Sequence, residues 1–402
     1  MVIPVTSQRC AKHLRPAGQF LRTSCCIALC GRRLLLDLLH GMLICLLHVL
    51  MIWLVPVLVS GLLPGMHACS SVNAAEPPVT AIAVSPDEEL VLVGCQSGLY
   101  SARVDQLMNS IGQDGRVSWR EHSQVINVEL EAIHEIMFSP DGRTIAVAGG
   151  TPGQFGIVCV LERGSGKVHQ RLSDHDDVVT SVAWSEDGRQ FYSAGFDGRV
   201  NCYEADETWR LLHSREVSTK PLTSLQLLHD APSTDKSPNP EKPSEGLLIA
   251  AGLDQNIRIF DVNSPSDSPA LRVLNNHTRP VLQVFTANSS QTNEPTRQLV
   301  VGSLSEDRTI RFWHPRNGRM LRFVRLSETP ISAVFADTTD HAIVCDSLGT
   351  VRIIDSRTAQ VQSESPTVCG RAFSCAWISA RKQLLMGGRD GVIVAVSTEI
   401  GH

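Results

Sequence analysis

The sequence predicts an all-β protein, a seven-bladed β-propeller of four-stranded antiparallel blades that follows an apolar helix at the N-terminus. Three observations predict this fold. A hairpin with Asp in its turn recurs along the chain, a turn of the Ser-Pro-Asp-Gly type alternates with it, and the pair repeats about every 40–55 residues. A helical pattern of apolar residues is absent beyond residue 75, which disfavours an α/β fold.

The Asp hairpin is clearest in residues 301–313, where an apolar run ends at a turn containing Asp307 and a second run ends in Trp313. Further copies occupy residues 193–203, 250–260 and 386–393, and degenerate copies occupy residues 93–99 and 345–351. In the degenerate copies Ser97 and Leu348 stand at the position of Asp. Each copy is typical of two strands joined by a tight turn.

The second motif is an apolar strand closed by a Ser-Pro-Asp-Gly-like turn, at residues 82–87, 136–142 and 182–188. Pro and Asp early in such a turn, with Gly late, favour a type I turn. Further strand-like runs, such as residues 166–172, complete four strands for each unit. The blades are therefore expected near residues 80–130, 133–175, 178–217, 222–277, 280–327, 331–368 and 372–398, within a domain of residues 76–402.

Over roughly residues 78–398 these repeats resemble the WD-repeat family, the G-protein β-subunit type of β-propeller. In that family a buried hydrogen-bond chain of His, Ser or Thr, Asp and Trp holds each blade together. A buried carboxylate is tolerated only if hydrogen bonds fill its lone pairs, which explains these residue types. For the fifth blade the resemblance implies a complete chain of His277, Ser305, Asp307 and Trp313. For the third it implies His175 and Asp197, with Gly195 and Tyr203 in place of Ser and Trp. The fourth and seventh blades keep only Asp254 and Asp390.

His, Ser and Asp could also be a nucleophilic triad. The same trio recurs in several repeats and no Gly-x-Ser-x-Gly elbow accompanies it, which favours the structural interpretation. We therefore expect no catalytic residue, no metal site and no cofactor. The alternative is a propeller enzyme, similar to a lactonase or a quinoprotein, with a site in the central channel. Aromatic residues make up only 5% of the chain and no His cluster falls on the innermost strands, which opposes it.

The first 75 residues form a separate segment, either a signal peptide or a membrane anchor. A basic start precedes residues 41–63, which are apolar and carry no charged residue except the titratable His48. Small residues then precede a candidate cleavage position after Ala74. Residues 41–63 are also long enough to remain in a membrane if the segment is uncleaved. Both alternatives predict a propeller that is exported or membrane-anchored on the extracytoplasmic side.

The chain ends a few residues after the third strand of the last blade. Only residues 75–78 would remain before the first strand after cleavage, and two of them are prolines, which cannot donate to a strand ladder. The sequence therefore predicts a three-stranded last blade with an exposed edge near residues 391–398. If residues 66–74 instead supply the missing strand, cleavage after Ala74 is disfavoured.

The expected activity is non-catalytic binding of a protein or peptide partner. The net charge is −5 and no basic stripe with interleaved aromatics appears, so no nucleic-acid partner is expected. The resemblance implies a partner over the face that carries the Asp hairpins. The candidate contacts are the residues just before each turn Asp, namely Phe196, Leu253, Glu306 and Arg389, together with Asp177 and Arg279 near the starts of innermost strands.

Overall fold

The computed structural model describes residues 76–206, 208–229, 246–286, 300–338 and 340–398. Within these ranges 28 strands form seven four-stranded antiparallel sheets. The predicted fold of seven four-stranded blades is therefore confirmed. The expected helix, signal or anchor in residues 1–75, including residues 41–63 and 66–74, lies outside the described residues. No helix in the described ranges is both long and apolar enough to cross a bilayer.

The strands follow one another from the centre of each blade outward. The first blade contains β1 (Val79–Val84), β2 (Leu90–Cys95), β3 (Gly98–Arg103) and β5 (Ser123–Ile126); the second contains β6 (Ile133–Phe138), β7 (Thr144–Thr151), β8 (Phe155–Glu162) and β9 (Val168–His175). The third contains β10 (Val179–Trp184), β11 (Gln190–Gly195), β12 (Arg199–Glu204) and β13 (Leu211–Glu216); the fourth contains β14 (Leu222–His229), β15 (Gly246–Gly252), β16 (Ile257–Asp261) and β17 (Arg272–Leu274).

The remaining blades have the same arrangement. The fifth contains β18 (Val281–Thr286), β19 (Val301–Ser305), β20 (Thr309–His314) and β21 (Arg319–Arg325); the sixth contains β22 (Pro330–Phe335), β23 (His341–Asp346), β24 (Thr350–Asp355) and β25 (Gln360–Pro366). The seventh contains β26 (Ala372–Ile378), β27 (Gln383–Gly388), β28 (Ile393–Ser397) and β4 (Arg116–Val117). A short helix, α1 (Val104–Asn109), and 3₁₀ turns at Trp119–His122 and Ser379–Arg381 complete the described elements.

The Ser-Pro-Asp-Gly motif forms the turn between the first and second strands of a blade. In the second blade the Ser139 hydroxyl donates to Asp141 Oδ1 at 2.6 Å and accepts from the Thr144 amide at 2.9 Å. Gly142 follows at φ 69°, in the left-handed region that glycine adopts without steric cost. The third blade repeats this pattern with Ser185 and Asp187. The turn residues identified in the sequence therefore stabilise the turn by local side-chain bonds.

The hydrophobic core lies between adjacent blades, because each sheet buries both of its faces. Between the fifth and sixth blades, the rings of Phe285 and Phe335 lie 4.8 Å apart. Gly302 makes this packing possible, since a Cβ at that position would lie 2.1 Å from Cζ of Phe285. The innermost strands contact each other around a closed ring, which includes contact of β1 with β26.

The ring closes differently from the prediction of a three-stranded last blade. That prediction is wrong, because the fourth strand of the seventh blade is β4, from a segment between the third and fourth strands of the first blade. Val117 pairs with Ile393, and the Trp119 indole donates to the Gly391 carbonyl at 2.8 Å. The strand therefore comes from the interior of the sequence. The edge that was expected to be exposed along residues 391–398 is covered at Ile393 and Val394, which pair with β4.

A belt of polar side chains links neighbouring innermost strands. Each belt residue follows a β-bulge near the start of its strand and bonds the innermost strand of the next blade; the belt consists of Glu135, Ser181, Ser224, Gln283, Ser332 and Ser374. Gln283, for example, accepts from the Ala333 amide at 2.7 Å and donates to the Ala333 carbonyl at 3.1 Å. Ser374 accepts from the Ile82 amide at 3.0 Å and so links the last blade to the first.

Candidate functional site

The fifth blade contains a continuous buried hydrogen-bond chain, which we call the fifth-blade staple: His277, Ser303, Asp307 and Trp313. His277 Nδ1 lies 2.9 Å from Asp307 Oδ2, and His277 Nε2 lies 2.8 Å from Ser303 Oγ. The Trp313 indole donates to Ser303 Oγ at 2.9 Å. Ser303 is 0% exposed, so the hydroxyl cannot reach a substrate. The trio of His, Ser and Asp here joins the strands of a blade instead of forming a nucleophilic site.

The electrostatics of the fifth-blade staple fix its protonation state. Burial alone would raise the pKa of Asp307, but hydrogen bonds from Thr309 and His277 hold it at about 2. Burial lowers the pKa of His277, which outweighs the opposing effect of Asp307. At neutral pH the carboxylate is therefore ionised and the imidazole neutral. Nδ1–H then donates to Asp307, and Nε2 accepts from the Ser303 hydroxyl.

The serine of the fifth-blade staple differs from the one expected. Ser305, which the sequence placed in the chain, donates to the Arg279 carbonyl at 3.0 Å and accepts from the Asp307 amide at 3.1 Å. It stabilises the turn, while Ser303 contacts His277 and Trp313. The two serines lie two residues apart on one strand, so a period-2 pattern places both on the same face.

The third blade contains a more complete chain than the sequence suggested. His175 Nδ1 lies 2.8 Å from Asp197 Oδ2, and His175 Nε2 lies 2.8 Å from Ser193 Oγ. Gly195 is therefore not a lost serine, because Ser193 supplies the hydroxyl. Tyr203 stands at the position of Trp313 and is fully buried, with its hydroxyl 3.4 Å from Asn201 Nδ2.

The other blades use different partners for the hairpin. In the fourth, Asp254 accepts from Ser218 at 3.1 Å and pairs with Arg258 at 2.6 Å. In the seventh, Asp390 is exposed to solvent. The sixth has a feature that the sequence analysis missed, a fully buried Asp346 whose Oδ2 lies 2.5 Å from Arg352 Nη1. An Asp two residues before Leu348, the turn position that Asp occupies in other hairpins, with Arg six residues after that Asp, was the available signal.

The candidate contact residues occupy equivalent positions in different blades. In the third to seventh blades, the residue at the start of the hairpin turn donates its amide to a carbonyl of the loop that enters the innermost strand. The five pairs are Phe196 to Val178, Leu253 to Pro221, Glu306 to Pro280, Ser347 to Thr329 and Arg389 to Arg371, at 2.8–3.1 Å. The hairpin turns and the entering loops thus form one face of the ring, which we call the hairpin face.

The exposure of the six candidate residues differs. Glu306, Arg389 and Arg279 are exposed, whereas Phe196 and Leu253 are partly buried. Asp177 is also partly buried, and its Oδ1 accepts from the Gly153 amide at 2.8 Å, so it holds the hairpin of the second blade.

Two apolar residues on the hairpin face were not among the candidates. Leu348 is 63% exposed at the turn of the sixth blade, and Val368 is 44% exposed in the loop that follows it. The two segments are in contact, because the Thr367 hydroxyl donates to the Gly349 carbonyl at 2.7 Å. Leu348 at the turn position of Asp was the sequence signal for this exposed patch.

The fold is a seven-bladed β-propeller, and its third and fifth blades contain the hydrogen-bond chains of His, Ser and Asp. The family model described as "WD domain, G-beta repeat" matches residues 166–204 and 269–314, which contain the two hydrogen-bond chains described above. The expected resemblance is therefore confirmed: this chain carries WD repeats.

The chain is similar in sequence to several known proteins, two of which are named for WD repeats. The periodic tryptophan protein 2 homolog of Dictyostelium discoideum is 22% identical over 301 residues, which are 74% of this chain and 28% of that protein. WD repeat-containing protein 37 of Homo sapiens is 28% identical over 43% of this chain and 28% of its own length. WD repeat-containing protein 1 of Xenopus tropicalis is 25% identical over 62% of this chain and 36% of its own length. The chain thus spans about a third of the length of these relatives.

Proposed function

We propose that this protein is a non-catalytic scaffold that binds a protein or peptide partner on the hairpin face. The observation that carries the proposal is the repeated anchoring of the hairpin turns in the third to seventh blades, where each turn presents one side chain from a fixed backbone position. Rigid backbone reduces the entropy lost on binding. The WD-repeat relatives support an interaction role for this chain.

The exposed residues of the hairpin face give the proposal chemical content. Leu348 and Val368 supply apolar area beside Arg389 and Arg371, which are both exposed. Apolar anchors next to Arg are the composition of binding hot spots. We propose that these residues contribute most to partner binding, with Phe196, Leu253, Glu306 and Arg279 at neighbouring positions of the face. Asp177 contributes by holding the second-blade hairpin.

The test combines partner capture with surface variants of the full-length chain. A photo-crosslinkable residue at position 347 identifies the bound protein, and its affinity is then measured for Leu348→Asp, Arg389→Ala and Phe196→Ala. We expect a loss of at least about tenfold for Leu348→Asp. Arg143→Glu, an exposed change in a turn between a first and a second strand, is the matched control and should leave affinity unchanged. Equal binding by all variants would reject the hairpin face.

The rival function is a propeller enzyme with a site in the central channel. If the protein turns over a substrate, and this turnover is unchanged in Leu348→Asp and Arg389→Ala but is lost when channel residues are changed, the propeller enzyme replaces the scaffold proposal.

We also propose, from residues 1–75 alone, that the protein is exported or membrane-anchored. Edman sequencing of the protein isolated from cells tests this proposal. A mature N-terminus near residue 75 supports a cleaved signal, an intact segment in a membrane fraction supports an anchor, and an intact protein in the soluble cytoplasmic fraction contradicts both.

A further inference from the structure

The outermost strand of the fifth blade differs in charge from the rest of the molecule. β21 carries Arg319, Arg322 and Arg325 and no acidic residue, in a chain of net charge −5. None of the three forms an ion pair with another described residue; Arg322 only donates to the adjacent Leu321 carbonyl. Three of the other outer strands, β9, β13 and β25, each carry an acidic residue; Glu364 on β25, for example, pairs with Arg352. The positive charge of β21 is therefore uncompensated.

The cations lie on both sides of the strand. Cross-strand partners share a face, and Arg322 pairs with Phe312, which is buried against the sixth blade. Phe323 and Arg325 alternate with Arg322 and so lie on the side of the fourth blade. Met320 packs on that same side because a register shift between Phe312 and Trp313 pairs it with Trp313. A ligand that lies along the edge of β21 meets guanidinium groups on either side.

An exposed aromatic ring accompanies these cations. Phe323 is 53% exposed, and the Arg311 guanidinium lies 5.9 Å from its ring centroid. Gly318 lies in the turn into β21, and a Cβ added there would be 3.3 Å from Cδ of Arg272. Arg272, of the fourth blade, therefore lies beside this turn. Val273, next to it, is 52% exposed. The rim patch, defined as Arg272, Arg319, Arg322, Phe323 and Arg325, thus combines apolar area with four cations.

We propose that the outer edge of β21 binds an extended acidic peptide segment of a partner protein, which adds to the fifth blade as a further strand. β21 has seven residues and no neighbouring strand on its outer side within the described ranges. Its outward backbone groups can therefore pair with an added strand, except that the Leu321 carbonyl accepts from Arg322 and the Arg319 amide donates to Asn317. A second copy of β21 is disfavoured as the occupant, because three arginines on each strand repel one another. Carboxylates on both sides of an added strand match the arginines on both sides of the edge.

The probe is a fluorescein-labelled peptide of about ten residues in which Glu alternates with Tyr and Val, long enough to cover β21. With the full-length chain, fluorescence anisotropy should show saturable binding that weakens as salt rises. The double variant Arg322→Glu/Arg325→Glu should lose at least about tenfold in affinity, and Phe323→Ser should lose several-fold. A peptide with Lys in place of Glu should not bind.

Two controls separate this site from the hairpin face. Arg143→Glu reverses an exposed charge in the second blade and should leave the affinity unchanged. Arg389→Ala, which tests the hairpin face, should also have no effect, so either proposal can fail without the other. Urea unfolding midpoints equal to that of the unmodified protein show that the variants are folded.

Hydrogen exchange decides how the peptide is held. Amides of β21 should become protected when the peptide binds, because an added strand accepts their hydrogen bonds. Unchanged exchange, or unchanged affinity of the double variant, would overturn the proposal. Tighter binding of phosphatidylserine vesicles or duplex DNA than of the peptide, lost in the same double variant, would also overturn it and assign the patch to a polyanion.

Discussion

Ser303 and Ser305 show at the residue scale how little separates a staple residue from a turn residue. Both lie on β19, both are fully buried, and both accept or donate at about 3 Å. Only the position of the His277 ring, delivered by the loop before β18, decides which serine completes the chain to Trp313. The side-chain types of the staple were thus predictable from the repeat, and the register of its serine was not.

Removal of the two serines should have unequal effects. Ser303→Ala leaves the Trp313 indole and His277 Nε2 without partners in a dry site, so we expect a loss of about 2–3 kcal/mol of unfolding free energy. Ser305→Ala should cost about 1 kcal/mol or less, because it removes a turn bond near the strand end. Asp307→Ala should cost about 3 kcal/mol or more, since His277 and two backbone amides lose their acceptor.

Urea unfolding measured by tryptophan fluorescence and circular dichroism tests these values. Ser97→Ala is the control, because Ser97 is exposed in the degenerate first hairpin. Equal losses for the two serine variants would show that the staple does not stabilise the blade through Ser303.

At the scale of elements, the belt of polar side chains on the innermost strands has one acidic member, Glu135. Gln283 and the belt serines can both donate and accept, whereas an ionised Glu135 can only accept. Its Oε2 accepts from the Val182 amide at 2.6 Å. Burial raises the pKa of Glu135 to about 7, against which bonds from Ser181 and Val182 act only in part. The strands tolerate the carboxyl group best in its neutral form.

Glu135→Gln should therefore stabilise the protein at alkaline pH. The folded-state pKa is raised above the unfolded value, so the group's contribution is fully present below about pH 4.5 and is lost as pH rises through about 7. At pH 8 the free energy of unfolding of the variant should rise by at most about 3 kcal/mol. The rise should be smaller than this limit because water reaches part of the side chain. At pH 4 the gain should vanish. Urea midpoints at both pH values measure this, with Gln283→Glu as the mirror change; a gain that is the same at pH 4 and pH 8 would contradict the assignment.

The closing segment is the second element whose role only its contacts reveal. α1 and β4 carry the chain from the first blade to the edge of the seventh, where Leu107, Val117 and Trp119 are buried against Ile393. A two-residue strand contributes little pairing energy by itself. The packing of these side chains must therefore supply most of the stabilisation.

Trp119→Ala should weaken the closure of the ring. The loss of a buried indole and of its bond to the Gly391 carbonyl should cost about 3–5 kcal/mol. Trp119→Phe retains the aromatic contact with Tyr100 and should cost less. Limited proteolysis reports the effect directly, with cleavage expected first within residues 104–122. If Trp119→Ala is as resistant as the unmodified protein, another contact closes the ring.

At the scale of the whole molecule, two sets of contacts close the ring. The innermost strands join the first and last blades through Ile82 and Ser374, and the outer rim joins them through β4. Stability should be unevenly distributed, because the third and fifth blades have full hydrogen-bond chains while the seventh has an exposed Asp390. The two proposed binding surfaces differ in extent: the hairpin face recurs from blade to blade, whereas the rim patch lies on the fifth blade and the adjoining Arg272 of the fourth.

The sequence by itself determined the number of blades, the order of their strands, the turn residues and the His, Asp and Trp of the fifth-blade staple. These features recur at fixed spacing, and repetition makes a local pattern readable. Tertiary structure decided the serine of each staple, the buried pair of Asp346 and Arg352, and the source of the last strand. The serine and the buried pair depend on how the strands and the entering loop of one blade come together, and the last strand depends on a segment that reaches another blade only when the ring closes. A segment such as residues 104–122 has no repeat partner, so its place in the seventh blade follows from contacts that exist only in the closed ring.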